Sequence, residues 1–303
     1  MPEIPILEAG EASTGPVLFG GYDQTALDAQ YNNRAAVPDF ADIVAGWQRD
    51  SERTRSELKG HLDVAYGAGD RAKLDIFPAA GDASGQAPVL VFIHGGYWQA
   101  LDKSVFSCVA PHYVEAGITV VTIGYPLCPD VSMGGIVAHC RTALLWLSAN
   151  IGDYGCDPTR IFLSGHSAGG HLSALLASTD WAAEGGAANL LKGAIPLSGL
   201  YELEPIRLSY LNEALHLTPE DARLYAPRLQ TGRISCPLLL AVGGDETDEF
   251  LRQQRDFAAH LGTQGLTPQT LELEGLNHFT LVDALRSSGS VLSNAIVDFI
   301  QQP

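Results

Sequence analysis

Basic residues are scarce in this 303-residue sequence, which has 18 Lys and Arg against 35 Asp and Glu and a formal net charge of −17. Nucleic acids and anionic membrane surfaces repel such an acidic chain, so we expect neither as a partner. Long apolar runs are missing too, because no stretch approaches the length needed to cross a bilayer. The first fifteen residues have neither a basic start nor an apolar stretch, so we expect no signal peptide and a cytoplasmic protein.

Cysteine is sparse and irregularly spaced, with an odd count and no C-x-x-C pair. The five cysteines are Cys108, Cys128, Cys140, Cys156 and Cys236. This usage favours reduced thiols in the core over a disulfide framework. Cys108 with His112, and His139 with Cys140, are spaced like partial metal ligands, but neither pair belongs to a fuller set. We therefore expect no metal and no cofactor.

From about residue 61 onward the sequence alternates between apolar runs and helical patterns. Residues 61–67 and 72–77 alternate like a hairpin, whereas residues 88–96 form a continuous apolar run. Further strand candidates cover residues 118–127, 160–165, 193–199, 237–244 and 269–273. Helical patterns cover residues 105–115, 136–149, 168–178 and 249–261. This order predicts an α/β fold, in which a mostly parallel sheet has helices on both faces and binds ligands at the carboxyl ends of its strands.

Two segments stand outside this alternation, although the length suits a single domain over residues 1–303. Residues 1–60 are polar and lack strand patterning, which indicates an N-terminal helical extension. Residues 200–233 are the one long insertion between strands and are predicted to form a lid. The helices expected in these segments cover residues 25–31, 43–58, 209–215 and 219–225.

The most informative stretch is Ile161–Leu172, where an apolar strand, a glycine-flanked serine and a small-residue helix follow one another. Its core, Gly165-His166-Ser167-Ala168-Gly169, is the G-x-S-x-G pattern of a nucleophile elbow in its proper strand-to-helix context. The sharp turn holds the serine hydroxyl clear of the backbone, where a neighbouring base can activate it. A helix N-cap serine would also suit this position. We predict Ser167 as a nucleophile.

A serine nucleophile needs a base and a carboxylate, which follow it in this order in hydrolases of this fold. Of nine histidines, His278 lies in the loop after the last predicted strand, from which an imidazole can reach the sheet edge; the alternative is a surface-loop histidine. The acid is ambiguous, because the strand ending in Gly243-Gly244 is followed by both Asp245 and Glu246. We favour Glu246 and keep Asp245 open.

Oxyanion stabilisation requires backbone N–H donors close to the nucleophile. We expect one from Ala168 and others from the loop that follows the 88–96 run, with Gly96 and Tyr97 as first choices. Glycines in that loop let the backbone approach a substrate carbonyl closely. His94 precedes them and is expected to hold the loop through hydrogen bonds.

These motifs together resemble the kynurenine formamidases (arylformamidases), within the esterase/lipase branch of the α/β-hydrolases. The segment His94–Trp98 is similar to that family's H-G-G-x-W loop, and Gly165–His171 is similar to its elbow. Ser198–Tyr201 and Glu249–Gln253 resemble its later segments, so the likeness runs from about residue 88 to residue 279. In that family the acid precedes the Glu-Phe pair by three residues, which corresponds to Glu246; the usual residue there is Asp.

The resemblance implies an α/β-hydrolase fold and hydrolysis of N-formylkynurenine to kynurenine and formate through an acyl-enzyme. The aryl group would then lie on Tyr97, Trp98, Tyr201 or Phe279, for which ordinary core packing is the alternative. The expected partner is a small aryl amide or ester. A broad carboxylesterase or aryl-acylamidase is the alternative activity, and a small-molecule receptor is the alternative class. A homodimer is the assembly we allow for.

Overall fold

The computed structural model describes residues 15–81, 86–230 and 234–302. The start of the predicted N-terminal extension, residues 1–14, and residues 231–233 of the predicted lid lie outside this description.

Eight strands of the described chain form one sheet in the order β1-β2-β4-β3-β5-β6-β7-β8. The strands are β1 (His61–Ala65), β2 (Lys73–Phe77), β3 (Ala87–Ile93), β4 (Thr119–Ile123), β5 (Cys156–His166), β6 (Leu191–Leu197), β7 (Leu239–Gly243) and β8 (Gln269–Leu273). The pairs β1–β2 and β2–β4 are antiparallel, and all the others are parallel. The predicted hairpin and mostly parallel sheet are thus confirmed.

Helices cover both faces of this sheet, as the continuous apolar strands require. In the described residues they are α1 (Gln24–Tyr31), α2 (Asn33–Ala36), α3 (Phe40–Glu57), α4 (Ala110–Glu115), α5 (Met133–Asn150), α6 (Ala168–Ala177), α7 (Glu204–Leu208), α8 (Asn212–Leu215), α9 (Pro219–Leu224), α10 (Asp248–Thr263), α11 (Thr280–Arg286) and α12 (Val291–Gln301). Alternate residues of β3 enter two separate cores: Val89 and Val91 pack with α5 and α6, whereas Leu90 and Phe92 pack with α3, α4 and α12.

Two predicted helices differ from those observed, and proline explains both. The segment 105–115 begins as a 3-10 turn (Lys103–Val109), and α4 starts only at Ala110, because Pro111 has no N–H to donate and suits the first helical turn. In the insertion, α7 begins at Glu204 with Pro205 in its first turn, and the sequence pattern did not predict this helix. Ser209, expected to begin a helix, instead caps the end of α7 by donating to the carbonyl of Ile206.

The N-terminal helices are bound to the sheet by buried polar contacts. Trp47 of α3 donates to Asp283 of α11 at 2.9 Å, and Arg55 pairs with Asp75 on β2. The Asp75 side chain is fully buried and also accepts from Lys103 Nζ at 2.6 Å. Because removing one member of a buried charge cluster leaves the others uncompensated, this cluster fixes the position of α3. The N-terminal segment is thereby held against the sheet.

Candidate active site

Ser167 lies in the turn between β5 and α6, with φ +59° and ψ −118°. A non-glycine residue adopts such a conformation only where its surroundings impose it, at a cost of about 1–3 kcal/mol. The imposed contacts are visible: the Ser167 N–H donates to the Leu197 carbonyl at 2.9 Å, and a Cβ on Gly169 would collide with the carbonyl of Ile93. Glycine at 169 is therefore required for α6 to pass this close to β3. The observed turn between β5 and α6 agrees with the strand-to-helix turn that the G-x-S-x-G pattern predicts.

His278 and Glu246 meet at the same sheet edge. Nδ1 of His278 lies 2.6 Å from Oε2 of Glu246, and both side chains are buried. Since a carboxylate can only accept, Nδ1 carries the proton and Nε2 of the neutral imidazole is left as an acceptor. A base in this tautomer can take a proton from a serine hydroxyl.

Glu246 is held by more than the histidine. Its other oxygen, Oε1, accepts from the Gly243 N–H at 2.9 Å and from the Ser198 hydroxyl in a short hydrogen bond. Asp245, by contrast, is exposed, and among the described residues the Gly275 N–H alone donates to its carboxylate, at 3.3 Å. The structure therefore brings Glu246, and not Asp245, to His278. Ser198 was missed as a site residue, although it opens the Ser-Gly-Leu-Tyr segment directly after β6.

The loop His94–Trp98 adopts a backbone that few residues tolerate. Gly96, Tyr97 and Trp98 have φ of +106°, +47° and +58°. Within the described residues, the N–H groups of Gly96 and Tyr97 donate to no other protein group. Ala168 is the first residue of α6, so its N–H has no carbonyl acceptor within the helix. These three predicted donors are thus free to bind an oxyanion.

The N-terminal segment holds this loop in place. The Tyr97 hydroxyl donates to the Tyr31 carbonyl at 2.8 Å and accepts from the Asn33 side-chain amide at 3.2 Å. His94 stacks on Tyr125 at 4.3 Å, and burial lowers the pKa of His94 to about 4. Its Nδ1 lies 2.8 Å from the Gly95 carbonyl, so a neutral imidazole donates to the loop backbone. This agrees with the expected supporting role of His94.

Ser167 and His278 open onto one cavity, which Gly96 and Tyr97 also line. Six aromatic side chains are part of its wall: Tyr31, Trp47, Tyr97, Phe106, Tyr210 and Phe279. The cavity receives residues from both the N-terminal segment and the 200–233 insertion. Phe279, which the sequence placed against a substrate, also lines the cavity.

Trp98 and Tyr201 do not line this cavity, and this corrects their expected place in a substrate pocket. The positive φ of Trp98 turns its indole into the core, where Nε1 donates to His171 Nδ1 at 3.2 Å. His171 in turn places Nε2 2.7 Å from the Tyr225 carbonyl, and burial lowers its pKa to about 4. Tyr201 stacks on Phe257 with ring centroids 4.2 Å apart. Both aromatic side chains are buried in the core, outside the cavity lining.

His166 is the buried histidine next to the nucleophile, and its ring lies 4.5 Å from that of His278. Burial, and then the neighbouring His278, lower the pKa of His166 well below its usual range. The His166 ring is therefore neutral.

The Glu249–Gln253 segment connects the N-terminal segment, α10 and the insertion. Glu249 accepts from the Tyr31 hydroxyl at 2.8 Å and pairs with Arg252 at 2.7 Å. Gln253 donates to the Tyr31 hydroxyl at 3.0 Å, while its side-chain oxygen accepts from the Tyr201 N–H at 2.6 Å. The sequence marked this segment by resemblance alone, whereas the structure shows that it holds Tyr31 against the cavity.

All five cysteines are buried, and no disulfide joins them in the described residues. In the part of the chain that the structure describes, no three His, Cys, Asp or Glu side chains are grouped so as to hold a metal ion. No helix there combines the length and the apolar character that a membrane span requires.

Comparison with known proteins agrees with this geometry. The family model BD-FAE matches residues 74–192. The chain is 30% identical to the kynurenine formamidase of Danio rerio, over 85% of this chain and 87% of that one, and 31% identical to that of Salmo salar, over 85% and 88%. A solved structure from Silicibacter sp. TM1040, described as a candidate thioesterase, superposes with a TM-score of 0.79 at 28% identity, covering 91% of this chain and 99% of that one. The chain is a hydrolase of the α/β-hydrolase fold and belongs to the kynurenine formamidase family.

Proposed function

We propose that this chain hydrolyses N-formylkynurenine to kynurenine and formate, with Ser167 as the nucleophile, His278 as the base and Glu246 as the acid that orients it. The observation that carries the proposal is the His278–Glu246 pair, 2.6 Å apart, with His278 and Ser167 lining the same aromatic cavity. Two relatives that the chain matches over most of their length are kynurenine formamidases, which supports the choice of substrate.

In the first step the Ser167 hydroxyl attacks the formyl carbon while its proton passes to His278 Nε2. Glu246 stabilises the resulting imidazolium, since its two oxygens are already held by three donors. The oxygen of the tetrahedral intermediate takes the negative charge, and the N–H groups of Gly96, Tyr97 and Ala168 are the proposed donors to it.

The intermediate then collapses with cleavage of the carbon–nitrogen bond. His278 returns its proton to the departing aryl nitrogen, which leaves as the amine of kynurenine, and Ser167 retains the formyl ester. A water molecule next gives a proton to His278 and attacks this ester. Formate leaves as Ser167 recovers its proton, so the enzyme is restored without any cofactor.

The cavity wall supports an aromatic leaving group. Trp47 contacts two other rings of the wall, with its ring centroid 5.6 Å from that of Phe106 and 6.2 Å from that of Phe279. Offset and tilted ring contacts of this kind can extend to the aryl ring of a substrate. The acyl group would instead face Gly95 and Ser167, where a Cβ at position 95 would lie 3.1 Å from that of Ser167. A formyl group suits this narrow end.

The test is a side-by-side measurement of kcat/KM for N-formylkynurenine, formanilide, acetanilide and a short p-nitrophenyl ester. We expect N-formylkynurenine to be the best substrate and acetanilide to be cleaved far more slowly than formanilide. Rapid ester cleavage without formamide cleavage would instead support the carboxylesterase alternative. Ser167→Ala gives the background rate for each substrate.

Four further expectations belong with this proposal. The 200–233 insertion would act as a lid, for which the position of Tyr210 in the cavity wall is the support. A homodimeric assembly and a cytoplasmic location stay predictions, which light scattering and cell fractionation would test. Residues 1–303 as one domain would be tested by whether proteolysis yields any stable fragment.

A further inference from the structure

The cavity wall has an unusual charge for this protein. The chain has 35 acidic and 18 basic residues, yet no Asp or Glu is among the described residues that line the cavity. Arg34 is the permanently charged side chain in that lining, and the chemistry proposed above gives it no role. A cation without a carboxylate at the wall of a cleft favours an anionic group on the ligand.

Arg34 is also unusual in its contacts. It is half-buried, and its guanidinium lies over the Phe40 ring at 5.6 Å from the centroid. Among the described residues it forms no ion pair, whereas Arg252 on the neighbouring network is bound to Glu249, Glu202 and Asp256. The face of the guanidinium is thus packed, while its donors are not taken up by a carboxylate.

The position of Arg34 relates it to the reacting end of the cavity. Phe40, beneath the guanidinium, lies 5.7 Å from Phe279, and Phe279 lies 5.6 Å from the His278 ring. A series of ring contacts therefore leads from the proposed base to the guanidinium. Tyr210 lines the same cavity as Arg34. Burial raises the pKa of Tyr210 to about 12, and the positive charge of Arg34 partly offsets this rise.

The proposed substrate has its charges at the end away from the formyl group. The formamide is attached to the aryl ring, and a ketone and a methylene separate that ring from the carbon that bears the carboxylate and the ammonium. If the formyl carbon lies at Ser167 and the ring lies against Phe279, the amino-acid end lies further along the wall, towards Arg34. The wall has a cation for the carboxylate but no carboxylate for the ammonium.

We propose that Arg34 binds the carboxylate of the substrate and so makes the enzyme select aryl formamides that carry an acid, while the amino group adds little. This rests on the proposed formamidase function and deepens it. Arginine suits the role because its planar donors match a carboxylate in a two-point, charge-assisted hydrogen bond.

Two analogues separate the two charges. N-formylkynuramine keeps the ammonium but lacks the carboxylate, and 4-(2-formamidophenyl)-4-oxobutanoate keeps the carboxylate but lacks the amine. For the wild type we expect kcat/KM to be similar for N-formylkynurenine and the oxobutanoate, and about 10- to 100-fold lower for N-formylkynuramine.

The variant Arg34→Gln should lower kcat/KM about 10- to 100-fold for the two acids and leave it unchanged for N-formylkynuramine. Arg34→Lys keeps the charge but loses the two-point geometry, so an intermediate loss is expected. Arg49→Gln is the matched control, because it removes an equal charge from an exposed position on α3 outside the cavity lining. It should change none of the three values.

The outcomes are distinct. An equal loss for all three substrates in Arg34→Gln would show a structural role and overturn the proposal, as would no loss for any of them. Wild-type enzyme that cleaves all three formamides equally well would overturn the Arg34 proposal alone. Wild-type enzyme that cleaves none of them would overturn the proposed function together with it.

Discussion

Replacing Glu246 with glutamine alters the proposed active site by one atom, and the surrounding hydrogen bonds fix the consequence. Ser198 and the Gly243 N–H both donate to Oε1, so the amide oxygen of a glutamine must occupy that position. The amide nitrogen then faces His278, at the position where Oε2 accepts from Nδ1. Because this nitrogen can only donate, the neutral imidazole must place its proton on Nε2. The wrong tautomer then faces Ser167.

An imidazole with Nε2 protonated cannot accept the serine proton, and it also loses the negative charge that stabilises its imidazolium form. The corresponding carboxylate-to-amide change in serine proteases lowers kcat by about 10⁴-fold, or about 5 kcal/mol of transition-state stabilisation. We expect a loss of this size in kcat for N-formylkynurenine, measured by the release of kynurenine. The KM should change little, since Glu246 does not line the cavity.

Asp245→Asn is the matched control, because it makes the same chemical change at the adjacent residue. Its carboxylate is exposed and accepts only a weak hydrogen bond from the Gly275 N–H, so we expect less than about a twofold change in kcat. Equal losses in the two variants, or a greater loss in Asp245→Asn, would show that Glu246 is not the acid that orients His278. Thermal unfolding of both variants separates catalytic loss from misfolding.

Three further predictions follow from the structure. Ser198→Ala removes a donor to the buried Glu246 carboxylate and should lower kcat about 10- to 100-fold with little change in KM, which steady-state kinetics would measure; an unchanged kcat would contradict a positioning role. Gly169→Ala places a methyl group against the Ile93 carbonyl and should lower the free energy of unfolding by at least about 2 kcal/mol, as measured by urea denaturation; wild-type stability would contradict the close contact. Burial lowers the pKa values of His94 and His171 to about 4 in the folded protein, whereas histidine in the unfolded chain has a pKa near 6.5. Between these two pH values the unfolded chain therefore binds more protons than the folded one. Stability should therefore fall with decreasing pH, by about 2 kcal/mol for each histidine between pH 7 and pH 5, and a flat profile in urea denaturation would contradict neutral buried rings.

Local patterns were sufficient to predict the elements that carry the chemistry. The strand before Ser167 and the glycines after it specify a turn that the structure contains, and the final loop places His278 at the same sheet edge. These predictions needed only chain order and the parallel topology. The choice between Glu246 and Asp245 needed more, because one residue of register decides which carboxylate is buried.

The cavity wall could not be predicted in the same way, because its contacts join residues far apart in sequence. The Tyr31 hydroxyl donates to Glu249, which lies 218 positions further along the sequence, and no local sequence pattern predicts this contact. Trp98 was misjudged because its place next to the glycines says nothing of the positive φ that turns the indole inward. Arg34 has an ordinary sequence context, and its role emerges only from the residues that surround the cavity.

The most direct measurement compares kynurenine release from N-formylkynurenine by the wild type and by Ser167→Ala, with thermal unfolding as the check of the fold. We expect turnover by the wild type and a fall of at least about 10⁴-fold in kcat for the variant. This expectation would be contradicted by a correctly folded wild type that releases no kynurenine, or by a Ser167→Ala variant that releases it at the wild-type rate.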